Sequence, residues 1–202
     1  MTETTTRVTT AGGSAGTLVD LSGHRNNLSC TTTDSLREGR LNIWRNSLPQ
    51  VEMPTAGLLE IHGVGFSLPR FDGINPDNVV CSGQHLACAS GSYDWIYLLA
   101  TSERRSEDQF SLHFADGSVD FESFRVSDFW HAEPAFGDRR AFGTTQMHYP
   151  FHVQPNLRGD VWFQRVPVTR MVPLSGVTLP DNVAIHLYAM TLIPSRLETF
   201  DA

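Results

Sequence analysis

The chain has no lysine: all fifteen of its basic residues are arginine. Schiff-base chemistry on a lysine amine is therefore excluded. The arginines form no run or stripe, and the formal net charge is −7, so the basic footprint of a general nucleic-acid binder is missing. Cysteine is scarce. Cys30, Cys81 and Cys88 are an odd set without a C-x-x-C pair, which does not compose a disulfide framework. Cys81 and Cys88 read as small buried hydrophobes, and Cys30, downstream of His24 in a Ser/Thr loop, is a thin basis for a Cys–His nucleophile. No stretch reaches the ~20 apolar residues of a membrane span. The opening MTETTTRVTTAGGSAGT has neither a basic nor an apolar region of the kind a signal peptide needs, so a soluble, cytoplasmic protein is expected. There is no G-x-S-x-G elbow, and Gly63-Val64-Gly65 lacks the helix that would make it a phosphate loop.

What is present is alternation. Val161 to Val168, Val177 to Leu179 and Ala184 to Ile193 are short β-branched and aromatic runs cut by Pro, Gly and Asn-Asp clusters, the texture of an antiparallel sandwich or barrel. Gly57 to Leu68 reads as a hairpin turning near His62-Gly63. Phe110 to Val126 reads as another around Asp116-Gly117, whose Gly supplies the positive φ of a tight turn. Tyr93 to Thr101 is almost continuously apolar, as in a strand covered on both faces. Thr33 to Glu38 predicts one helical turn ended by Gly39, and Leu41 to Trp44 a short strand or loop anchor. Trp95 and Trp162 read as core. The expectation is an all-β antiparallel β-sandwich or jelly roll with about eight to ten strands and little helix. Residues 17–196 form its one domain, between an N-terminal tail at 1–16 and a C-terminal tail at 197–202.

Asp128 to Gln154 breaks the rhythm and is dense in Trp, His, Phe, Tyr and Arg; long irregular connections in compact domains tend to be functional. His148 and His152 form an H-x-x-x-H pair, but Pro150 and Phe151 argue against a helix. On a straight strand the two share a face roughly 13 Å apart, too far for one ion, and no metal ligands are assigned. Asp128 and His131 near the end of a strand offer an acid–base pair, which makes His131, His148, His152 and Asp128 the catalytic candidates if the protein is an enzyme. Aromatic rings stack on sugar C–H faces while Asn, Arg and His bind hydroxyls. Trp44, Trp130, Tyr149, Arg139, Arg140, Asn26, Asn27 and His24 are the ligand-binding candidates on that chemistry.

Several segments in order carry a resemblance. They are Val19-Asp20-Leu21-Ser22 with Asn26-Asn27, Gly63 to Pro69, Pro76 to Val80 with Gly83-Gln84, and Leu98-Leu99-Ala100. Ala115 to Ser118, Val126 to Trp130, and Val177 to Pro180 with Ala189 to Leu192 complete them. In these the chain resembles the galactose-binding-like β-sandwich modules found beside glycoside hydrolases in actinobacteria, and their stand-alone relatives. The resemblance implies carbohydrate binding through rim loops, and it allows a structural calcium; no other cofactor is expected.

Two functions fit these residues. One is non-catalytic binding of a carbohydrate or glycosylated small molecule. The other is a cofactor-free intracellular enzyme of secondary metabolism (a cyclase, isomerase or lyase) using His and Asp as acid and base. The partner is in either case a small molecule, not nucleic acid or membrane, and a homodimer is left open.

Overall fold

The computed structural model describes residues 7–8, 16–130 and 133–195. Most of the two expected tails and His131 lie outside the described residues. Strands succeed one another as β1 (Arg7–Val8), β2 (Gly16–Val19), β3 (Cys30–Thr31), β4 (Leu48–Pro49), β5 (Gly57–Ile61) and β6 (Val64–Leu68). Next come β7 (Val79–Val80), β8 (His85–Gly91), β9 (Tyr93–Ser102), β10 (Ser106–Phe114), β11 (Val119–Val126) and β12 (Arg139–Gly143). The last are β13 (Gln146–Tyr149), β14 (His152–Pro155), β15 (Asp160–Pro167), β16 (Leu174–Thr178) and β17 (Ile185–Pro194). The seventeen strands of the described residues exceed the eight to ten expected because pairings as short as β3 or β7 are too brief to show a period. Helix among the described residues is limited to single 3₁₀ turns at Ser22–His24, Leu36–Glu38 and Gln50–Glu52.

The fold is a β-sandwich of antiparallel sheets. One has seven strands in the order β1-β2-β17-β9-β15-β12, with β7 also on β17; the other has four, β11-β10-β16-β8. Between them Ile96, Leu98 and Ala100 of β9 and Leu187, Met190 and Leu192 of β17 meet Phe110, Leu112 and Phe124 of the facing sheet. Successive residues of a strand point to opposite faces, so Leu99, Val161, Phe163 and Tyr188 leave the seven-stranded sheet on its other side. There they build a second core with Leu41, Leu48, Phe66, Phe129 and Met147. A register shift between Leu187 and Ala189 places Tyr188 and Ala189 in the second core together and returns Met190 to the first. Burial on both sides explains why β9 reads as an almost continuous apolar run.

The hairpins obey their turn chemistry. His62 and Gly63 both have positive φ, 52° and 82°, the pair a type I′ turn requires. Gly117 has φ 83°, and Asp116 Oδ1 accepts from the Ser118 N–H at 2.9 Å. Leu41 to Trp44 is not a strand. The Leu41 N–H donates to Asn46 O and that of Arg45 to Asn42 O, closing a turn that leaves Ile43 and Trp44 exposed; the strand comes later, as β4. Trp162 is buried, whereas Trp95 is only half-buried, with the Arg165 guanidinium 4.0 Å above its ring. The large sheet narrows partway along β15. β12 pairs with β15 only from Asp160 to Phe163, so from Gln164 onward β15 has β9 on one side and, among the described residues, no strand on the other.

Candidate functional site

A groove of about 730 Å³ opens where β12 ends. Tyr97, Phe163 and Phe136 give it aromatic surface, and Arg125, Arg139 and Arg165 bring three guanidiniums to its wall. The arginines are only lightly engaged. Arg125 Nε lies 3.1 Å from Glu107 Oε2, with both side chains exposed, a pairing worth little in water. Arg165 rests on Trp95. Arg139 lies 5.8 Å over the Phe163 ring and its Nη2 is 2.6 Å from His62 Nδ1. A guanidinium only donates, so Nδ1 of His62 accepts and its proton sits on Nε2, which donates to Arg140 O at 2.7 Å. Burial, and then Arg139, hold the His62 imidazole below its ordinary value, which keeps this neutral tautomer. Asp138 closes the groove. Burial raises its carboxyl, opposed by hydrogen bonding to Ser127, whose N–H donates to Oδ2 at 3.0 Å.

Of the described residues singled out in the sequence, only Arg139 lines this groove. Arg140 is turned to the buried Asp160, Nε to Oδ1 at 2.8 Å, where Arg158 Nη2 also reaches Oδ2 at 2.9 Å. Burial pushes the Asp160 carboxyl up to about 6 against the pull of Arg158, and it remains ionised at neutral pH. A Cβ on Gly143 would collide with this carboxyl. Asn26 and Asn27 are spent on backbone, Asn26 Oδ1 accepting from Val80 N–H at 2.8 Å and Asn27 Nδ2 donating to Arg40 O at 2.9 Å. His24 borders a separate depression beside Asp20 and Ser22. Trp130 packs on Phe129 and its N–H donates to Asp128 Oδ1 at 3.0 Å; Asp128 borders another depression with Arg104 and Arg105.

The H-x-x-x-H reading is corrected by the chain reversing at Pro150-Phe151. In the β13–β14 hairpin Tyr149 pairs with His152 and His148 with Val153, so the two histidines face opposite ways. Tyr149 and His152 stack at 4.9 Å. His148 is buried, with Nδ1 2.8 Å from Thr31 Oγ1, itself 2.7 Å from Ser47 Oγ. The catalytic candidates Asp128, His148 and His152 thus contact different groups. Much of the segment from 128 to 154 that looked irregular is β12, β13 and β14. Cys30 and Cys81 are buried, and burial raises both thiols, that of Cys81 to about 12, so neither is a thiolate nucleophile at neutral pH. Among the described residues no three His, Cys, Asp or Glu side chains come together to hold a metal ion, and a calcium has no carboxylate cluster to receive it there.

Sequence reasoning missed His62, Tyr97, Arg125, Asp138 and Arg165. A signal existed for one of them: Arg125 is a charge set between apolar Phe124 and Val126 in a strand, at a position that must face outward.

A buried polar cluster lies under the second core. His186 is inaccessible, with Nδ1 2.9 Å from Asn78 Oδ1, and Asn78 Nδ2 donates to Asp77 Oδ1 at 2.8 Å. Burial depresses the His186 imidazole from 6.5 to about 4, the Leu41 backbone opposing. The unfolded chain therefore binds the extra proton first, so the stability from neutral His186 is full above pH 6.5 and lost as pH falls toward 4. The shift corresponds to about 3 kcal/mol. Urea titrations across that range should show wild type losing more stability than His186→Gln; parallel curves would contradict it.

No helix of the described residues is long and apolar enough to cross a membrane. No curated protein matches the chain. Residues 16–196 match the AziU2-like beta-sandwich domain, a stretch that takes in both sheets from β2 onward and the layer over the second core. On that match the chain belongs to the AziU2-like β-sandwich domain family.

Proposed function

We propose that the protein is a binding protein for a carbohydrate or glycosylated small molecule, held in the groove along the free edge of β15. The groove itself carries this reading. Its aromatic faces offer stacking surface for sugar C–H groups, while Gln164, Ser123 and Asp138 supply oriented hydrogen-bonding groups of the kind that fix a ligand. Three guanidiniums against one carboxyl favour a ligand that also bears an acid group. Saturable binding is expected on a panel of neutral and acidic sugars and glycosides. Tyr97→Ala and Arg165→Ala should each weaken it, by up to about tenfold. Absence of saturable binding, or binding indifferent to both changes, would sink the reading.

One observation favours the alternative of an acid–base enzyme. Asp138, its carboxyl raised by burial, shares the groove with the neutral imidazole of His62, and perturbed titrating groups in a cleft are candidates for proton transfer. Under that reading Asp138→Asn abolishes conversion of a bound ligand while leaving its binding intact.

A further inference from the structure

The outer face of the four-stranded sheet carries a second constellation, away from the groove. Register places His85 of β8 opposite Thr178 of β16, Thr178 opposite Ser111 of β10, and Ser111 opposite Phe121 of β11. In the next row Ala87, Gly176, His113 and Val119 lie opposite one another in the same order. His85 and His113 are therefore diagonal neighbours across an intervening strand. Such positions are separated by two inter-strand spacings of about 4.8 Å plus an offset along the strand. Yet their ring centroids are only 4.9 Å apart, with the planes at 78°. Gly176 permits this. A Cβ there would stand 2.6 Å from Cε1 and Nε2 of His85, so the imidazoles meet over a position without a side chain. Small neighbours, Ala87 and Ser111, leave the rest of the floor open.

Both rings also turn a nitrogen to one point. His85 Nδ1 is 3.1 Å and His113 Nε2 2.8 Å from Thr178 Oγ1. We propose that His85 and His113, with the Thr178 hydroxyl beside them, form a binding site for a divalent late-transition-metal ion. Imidazole nitrogen suits copper, nickel and zinc, and with equal ligands copper(II) binds tightest. Among the described residues no third His, Cys, Asp or Glu joins the pair, so water completes the coordination and the ion exchanges readily. A ligand imidazole must be neutral, so the ion should bind more weakly as the solution is acidified. The guanidinium-lined groove, by contrast, repels cations.

Copper(II) titration followed by calorimetry and electron paramagnetic resonance tests the site. One ion should bind with micromolar affinity and show coupling to two imidazole nitrogens. His85→Ala and His113→Ala should each weaken it by more than the roughly 10- to 100-fold typical of losing an outer-shell partner. Gly176→Ala keeps both imidazoles but pushes them apart, and should weaken binding as well; His85→Ala, on an exposed side chain, keeps the test decisive if the glycine variant folds poorly. His152→Ala should bind like wild type. Full affinity in His85→Ala, a single coupled nitrogen in wild type, or loss of binding in His152→Ala would each overturn the proposal.

Discussion

An Asp77→Ala variant is expected to lose about 4 kcal/mol or more of folding stability, read as a lower urea midpoint at unchanged slope. Asp77 is inaccessible to solvent, and its carboxyl takes four donors. Oδ1 accepts from Ser29 N–H at 2.9 Å, Ser29 Oγ at 2.7 Å and Asn78 Nδ2 at 2.8 Å, while Oδ2 accepts from Cys30 N–H at 3.0 Å. Alanine abandons all four in a site water does not reach, and each stranded donor costs about 1–3 kcal/mol before relaxation. The damage reaches past the cluster, because these bonds join the chain entering β3 to the chain entering β7. Asp77→Asn, which keeps one acceptor oxygen, should fall between. Asp72→Ala, which removes hydrogen bonds confined to one surface turn, should cost clearly less. An Asp77→Ala protein as stable as the Asp72→Ala one would refute this account.

Trp162→Ala should be nearly as severe, at about 3–5 kcal/mol. Trp162 is among the largest fully buried side chains, and its Nε1–H donates to Asp128 O at 3.1 Å. The indole thus fills space at the edge of the large sheet and pins the start of the excursion that returns through β12. Alanine removes the packing and leaves a half-buried carbonyl without its donor. Trp162→Phe, which restores most of the volume without the donor, should recover the larger part of the loss. If phenylalanine and alanine prove equally damaging, the hydrogen bond outweighs the packing. A loss below about 1 kcal/mol for alanine, the scale of an ordinary surface change, would show that Trp162 does not anchor the region.

The sandwich was legible in the sequence because its long strands keep a period of two or run apolar on both faces. Tyr93 to Thr101 announced a doubly covered strand and became the centre of the large sheet. Asp116-Gly117 and His62-Gly63 announced their hairpins through the backbone angles those residues tolerate. The second core was not legible, since Leu41, Leu48, Phe129 and Met147 come from segments too short to show any period. The site was misplaced for a related reason. Histidine density between 128 and 152 drew attention to side chains that the β13–β14 hairpin turns to opposite faces, and a reversal at Pro150-Phe151 depends on pairing that spacing does not reveal. The groove gathers His62, Tyr97, Arg125, Asp138 and Arg165 from remote parts of the chain, and only tertiary structure brings those together.

The early end of β12 has one more result. A strand margin without a paired neighbour, as β15 has from Gln164 onward among the described residues, is a template on which a second molecule can dock by backbone pairing and start aggregation. Like charges set along such a margin deter that encounter, and Arg125, Arg139 and Arg165 stand there. Charged side chains at a strand edge disfavour such pairing, so the residues that line the groove would also oppose it.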